Sequence, residues 1–146
     1  MRTHCQTIDT RWGSDNHPHY SHGNILPYTG VPFGMNYFLP QTTHEQGAWF
    51  FNPNLPIFQG FRLTHQPSPW IGDYAWCLIT PITGEVASSD LFRRQSSYSM
   101  KEAVFQPHYL RIFSERYQIQ SELVPSRYGA IMHFRAPEKL TLCFHA

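Results

Sequence analysis

Arg62, His65, Trp70 and Asp73 bring a guanidinium, an imidazole, an indole and a carboxylate into one short stretch of the chain. Pro67 and Pro69 fix φ in the middle of that stretch and bar regular structure there. Trp70 is therefore expected on a stiffened loop, followed by Gly72 as a joint and then a short apolar run. A rigid aromatic plane beside hydrogen-bonding groups can grip a sugar ring. The apolar C–H face lies on the indole, while carboxylate, imidazole and guanidinium take the hydroxyls. The same residues also suit a packed structural loop, with Trp70 plugging a core and Asp73 making a turn. Residue types and spacing leave both readings open. Trp12 is a second candidate stacking plane, or else a cover for the edge of a core.

His17, His19 and His22 form the other constellation, in the run His17-Pro-His-Tyr-Ser-His22. Neutral imidazoles suit zinc, copper or nickel. Strand alternation, however, sets His17 and His19 on one face and His22 on the other, and only Asp15 stands near them as a further donor. No metal site is assigned. An inverting glycosidase needs an acid and a base ~6.5–9.5 Å apart with water between them. The chain has four aspartates (Asp9, Asp15, Asp73, Asp90) and six glutamates, none in an evident acid/base setting. Nucleophilic catalysis has no support either, since no nucleophile-elbow pattern is present and Cys77 lies in an apolar run.

The elements that must position these groups read as β-structure. Short strands are expected at Met35–Leu39, Ala48–Phe51 and Ala75–Thr80, with a turn at Pro81-Ile-Thr-Gly84. Tyr117, Ile119, Ser121 and Leu123 alternate with Gln118, Gln120 and Glu122, the pattern of a half-buried strand with one wet face. Tyr109–Phe113, Tyr128–Arg135 and Leu140–Phe144 are its expected neighbours. The best helix-start signal, Ser99-x-x-Glu102, is a capping-box pattern close to Pro107, so a turn is expected there. Short strands separated by turns argue for an all-β antiparallel sandwich.

Several blocks also resemble a known family. Gly60–Pro81 is similar to a signature of the bacterial α-mannosidases of glycoside hydrolase family 92. Gly23-Asn-Ile-Leu-Pro-Tyr-Thr-Gly-Val-Pro-Phe-Gly-Met35, followed by Leu39-Pro-Gln-Thr42, resembles the opening of that family's N-terminal domain. Ser97–Tyr109 resembles its next block, and Glu122-Leu-Val-Pro-Ser-Arg127 with His133-Phe-Arg135 and Pro137 continues in the expected order. Two features differ from many members: the first block lacks a Gly-Gly pair, and Met100 stands where many carry His.

The resemblance implies an exo-α-mannosidase that removes terminal α-linked mannose from glycans with inversion. Its calcium, general acid and general base belong to a helical (α/α)₆ domain that is missing here. Residues 1–146 are then expected to be the N-terminal part of the β-sandwich domain, incomplete at the C-terminus. Such a fragment is expected to be catalytically inactive and poorly stable alone. Its catalytic and metal ligands lie elsewhere, and Trp70, Asp73, His65, Arg62 and Trp12 line one wall of the substrate pocket. The alternative is a free-standing carbohydrate-binding β-sandwich module, and a third reading is a fragment without a ligand.

Composition fits these expectations. Charged residues make up 14% of the chain and the net charge is +1, well below the typical ~25% charged. That gives no electrostatic case for nucleic acid, and the one adjacent basic pair, Arg93-Arg94, reads as solvated surface. Nine arginines stand against two lysines, which suits hydrogen-bonding and stacking roles more than a diffuse cationic face. No run approaches the ~20 apolar residues of a membrane-spanning helix. The first residues lack the apolar stretch of a signal peptide. With three cysteines (Cys5, Cys77, Cys143) that cannot all pair internally, a cytoplasmic setting is expected, or a secreted one if the natural start lies upstream.

Overall fold

The structure, a computed structural model, describes residues 7–15, 25–43, 50–65, 76–85 and 88–145. In chain order its elements are β1 (Tyr37–Gln41), β2 (Ile57–Phe58), β3 (Gly60–Thr64), β4 (Cys77–Thr83), α1 (Leu91–Arg94), β5 (Ser96–Ser97), β6 (Val104–Gln106), β7 (Tyr109–Ser114), β8 (Ile119–Pro125), β9 (Ala130–Arg135) and β10 (Leu140–His145). Among the described residues every strand pairing is antiparallel. Strands β1-β3-β4-β10 form one four-stranded sheet, β6-β7-β8-β9 another, and β2-β5 a two-stranded ribbon.

The second large sheet follows from alternation. Leu110, Ile112 and Ser114 of β7 are buried, as are Ile119, Ser121, Leu123 and Pro125 of β8. The register sets Leu110 opposite Leu123 and Ile112 opposite Ser121, so one face carries the apolar rows. A one-residue slip would turn every one of them to the wet face, which pins the pairing. Their partners across the core are Phe38 and Leu39 of β1 and Phe61 of β3, joined by Phe58, Phe105 and Tyr98 in one cluster. Two antiparallel sheets therefore share a core, as the all-β sandwich reading requires. Phe58 and Phe61 meet edge to face at 4.9 Å between centroids. Burial holds the Tyr98 phenol protonated, pushing its pKa up to about 12.

Backbone bonds tie the N-terminal segments to the second sheet: Thr10 N–H donates to the Phe105 carbonyl, Gly30 to Pro107 and Met35 to Arg127. Gly60, at φ +146°, marks the turn out of β2 into β3. A Cβ there would lie 2.6 Å from the Ile79 carbonyl oxygen and 2.8 Å from Thr80 Oγ1, so only glycine lets β3 approach β4 this closely.

Several expected boundaries shift. Pro81–Gly84 is not a turn: β4 continues to Thr83, and the chain bends at Gly84, at φ +75°. Pro81 pairs with Leu142 of β10 but lies past the stretch Cys77–Ile79 that β3 covers, so one flank owes no N–H to a neighbour. Phe50 is in a turn at φ +65° and Phe51 is in no strand, so the strand expected over Ala48–Phe51 is absent from its described end; Ala48 and Trp49 lie outside the described residues. Tyr117 belongs to the β7–β8 turn, where Gln118 takes φ +52°. Ser99 accepts backbone bonds from Glu102 and Ala103, a turn as expected. Among the described residues the helix is α1 instead, capped by Asp90, whose carboxylate accepts from the Phe92 N–H. No described helix is long and apolar enough to cross a membrane.

Candidate functional site

Of the candidate residues, Arg62, His65 and Trp12 are described. Trp70 and Asp73 lie outside the described residues, as do His17, His19 and His22. What the structure supplies is the frame of the loop between β3 and β4. The two strands pair from Leu63↔Cys77 inward. Just beyond that pair, the rings of His65 and Trp76 stack at 5.3 Å and 9° between planes. The stacked rings thus stand side by side where β3 ends and β4 begins. His65 is exposed and Trp76 is partly so, which leaves the stack open to solvent. Trp76 was not among the residues singled out from sequence. The signal was present: it is an aromatic at the last position before an apolar strand, facing a histidine across a hairpin.

Arg62 is engaged in the framework. Its Nε donates to Gln41 Oε1 at 2.5 Å, and its guanidinium lies 4.5 Å over the Phe50 ring. Gln41 Nε2 donates to Gln59 Oε1 at 2.7 Å, and Gln59 Nε2 donates to Gln95 Oε1 at 3.1 Å. Gln41 and Gln59 are fully buried. A side-chain amide relay thus runs from a cation on β3 through β1 to the end of α1, with each described amide satisfied as burial demands. Alternation places Arg62 on the same face of β3 as Thr64, whereas His65 lies past the strand end.

Trp12 is 69% exposed and does not cover the core. It sits in a turn held by the Asp9–Arg11 pair, whose Nη2–Oδ2 distance is 2.6 Å. Burial alone would raise the Asp9 pKa, but the hydrogen bonds and charge of Arg11 outweigh it and lower it. Asn54 Nδ2 donates to Asp15 Oδ1 at 2.9 Å, tying the Trp12 segment to the loop that carries Phe50. Trp12, Phe50 and Arg62 are thereby linked through one set of loops.

The described carboxylates are largely committed to such contacts. Asp9 holds Arg11, Asp15 takes Asn54 and Asp90 caps α1. Glu122 Oε1 accepts from the Tyr109 hydroxyl at 2.5 Å, while its Oε2 lies 3.0 Å from His133 Nδ1. Those two bonds, Tyr109 foremost, hold the Glu122 pKa down to about 2. Asp9 and Glu122 are both held low, the opposite of the raised-pKa acid that acid/base catalysis asks for. Among the described residues no group of three or more His, Cys, Asp and Glu side chains could hold a metal ion.

What the described residues define is an antiparallel β-sandwich with a stacked His65–Trp76 pair at one end of its first sheet. The model of the glycosyl hydrolase family 92 N-terminal domain matches residues 7–142. The chain belongs to that family. Among solved structures it is similar to a family 92 inverting mannosidase from Bacteroides thetaiotaomicron, with 32% identity and a TM-score of 0.74, over 90% of this chain and 18% of that one. A family 92 α-mannosidase from the same organism matches with 24% identity and a TM-score of 0.65, over 84% of this chain and 18% of that one. Its complex with mannoimidazole matches at a TM-score of 0.66. These two share the fold. The chain thus spans 18% of the length of the solved mannosidases it matches. A search of curated proteins finds no match.

Proposed function

We propose that this chain forms the N-terminal wall of the mannoside pocket in an inverting exo-α-mannosidase acting on terminal α-mannose of glycans. The observation that carries the reading is the His65–Trp76 stack at the base of the loop that holds Trp70 and Asp73. A loop stiffened by Pro67 and Pro69 and closed by two stacked rings presents its indole with little conformational freedom to lose, which favours binding. In this reading Trp70 packs on the sugar face, Asp73 takes hydroxyls, and His65 orients the loop. Arg62 holds the strand beneath, and Trp12 offers a further apolar plane.

The general acid and base of the inverting step are assigned to a helical domain outside these residues, in keeping with the described carboxylates' structural partners. Calcium is assigned to that domain too, as the family resemblance implies. In this reading residues 1–146 are the N-terminal part of the β-sandwich domain, and alone they do not cleave a glycoside.

The test compares mannose release from a terminal α-mannoside by residues 1–146 and by the protein carrying the helical domain. Release confined to the longer protein supports the reading. Mannose binding by residues 1–146 alone, lost on Trp70→Ala and with no longer protein present in cells, supports a free-standing binding module instead.

A further inference from the structure

At the far end of β4 from the His65–Trp76 stack lies a concavity of about 360 Å³, lined by Ile82, Thr83, Glu85, Ser88, Arg93, Arg94, Arg116 and Tyr117. The six residue steps from Cys77 to Thr83 set it ~20 Å from the stack. Three arginines line this concavity with one acidic residue, Glu85, and Asp90 stands beside Arg93, so cations remain in excess. Arg94 is the unusual member. The adjacent pair Arg93-Arg94 read from sequence as solvated surface, and for Arg93 that holds, with its side chain 76% exposed. Arg94 is 5% exposed. Its Nη2 meets His145 Nε2, its Nε has no hydrogen-bond partner, and no described carboxylate lies within ion-pair distance of it.

A buried guanidinium without a counter-charge is costly, and neighbouring cations add to the cost. Burial and the charges of Arg94 and Arg62 lower the His145 pKa, so this neighbour adds no second positive charge. Arg93 Nε lies 3.8 Å from Asp90 Oδ2 in an exposed pair, whereas Arg94 and Arg116 have no ion-pair partner among the described carboxylates. Tyr117 Oη donates to the Arg94 carbonyl at 2.9 Å. Arg116 Nη1 donates to the Arg93 carbonyl at 2.5 Å, and its guanidinium lies 5.2 Å from the centre of the Tyr117 ring. A pre-formed set of planar donors with excess positive charge is the chemistry that recognises phosphate-type oxyanions.

We propose that Arg93, Arg94 and Arg116 form a binding site for a phosphate-type oxyanion, free or borne on a sugar. The volume accommodates a sugar phosphate as well as the bare ion. Glu85 and Ser88, which also line it, then supply partners for sugar hydroxyls.

The test titrates the intact protein with inorganic phosphate at constant ionic strength by calorimetry, then with mannose 6-phosphate and with uncharged methyl α-mannoside. Saturable phosphate binding, weakened about tenfold by Arg116→Gln or Arg94→Gln, supports the site. Arg93→Gln, at an exposed position, retains the fold and also weakens binding if Arg94→Gln does not fold. Tighter binding of mannose 6-phosphate than of inorganic phosphate identifies the sugar-borne anion, and equal binding identifies the free one. Absence of saturable phosphate binding, or binding unchanged in the Arg93→Gln and Arg116→Gln proteins, overturns the proposal. Trp70→Ala leaves phosphate binding intact, so failure here is separable from failure of the mannoside reading.

Discussion

Arg62 and Gln41 are joined by a hydrogen bond of 2.5 Å between the guanidinium Nε and the amide Oε1, and Gln41 passes the connection on to Gln59 inside the core. A charged donor thus anchors a buried amide chain at the edge where β1 and β3 pair. Replacing Arg62 with Met removes that donor and leaves the Gln41 oxygen in a buried position. The expected loss is about 1–3 kcal/mol, read from chemical denaturation. Arg62→Lys keeps the charge but loses the planar stack on Phe50, and its loss is expected to fall between wild type and Arg62→Met.

The Glu122 carboxylate titrates low in the folded chain, at about 2 against an ordinary 4.5, because Tyr109 and then His133 hydrogen-bond its charged form. A depressed carboxylate stabilises the fold fully above its unfolded pKa, and that contribution is lost as pH falls through the folded value. The stability difference between wild type and Glu122→Gln is therefore expected to be constant above about pH 5 and to shrink toward zero near pH 2. The cluster sits on the outer face of the second sheet, where exposed pairs contribute about 1 kcal/mol or less. Denaturation midpoints measured across that range check the sign. A difference that grew as pH fell would contradict the assignment.

The His65–Trp76 stack can be tested apart from the loop between β3 and β4. Trp76→Ala removes the stack on His65, worth about 0.5–1.5 kcal/mol beyond area burial. With Trp76 partly exposed, the fold is expected to survive. In the active protein the change is expected to appear mainly as a raised KM for an α-mannoside, since the loop enters binding less ordered. An unchanged KM would remove the stack from the account.

The sequence made β7 to β10 legible because period-two alternation reports directly on a half-buried sheet: Ile119, Ser121 and Leu123 fall on the buried face as the pattern demands. It failed where neighbours rather than the strand itself decide. Pro81 reads as a turn former in isolation and sits in β4 because β3 ends before reaching it. The relay Arg62–Gln41–Gln59–Gln95 joins residues 21, 18 and 36 positions apart, and no local pattern announces such pairs. Arg94 is hidden for the same reason. Its burial comes from β10 and the β7–β8 turn, through His145 and Tyr117, both distant in sequence. Of the candidate site, the sequence named the loop from its prolines and its indole, but not the Trp76 ring that closes it.

The central claim, that this domain presents the 66–75 loop to a mannose ring, is tested most directly by kcat/KM of the protein carrying the helical domain on a terminal α-mannoside, comparing wild type with Trp70→Ala. The account predicts a fall of about tenfold or more with the fold intact by circular dichroism. A value of kcat/KM within twofold of wild type would contradict it.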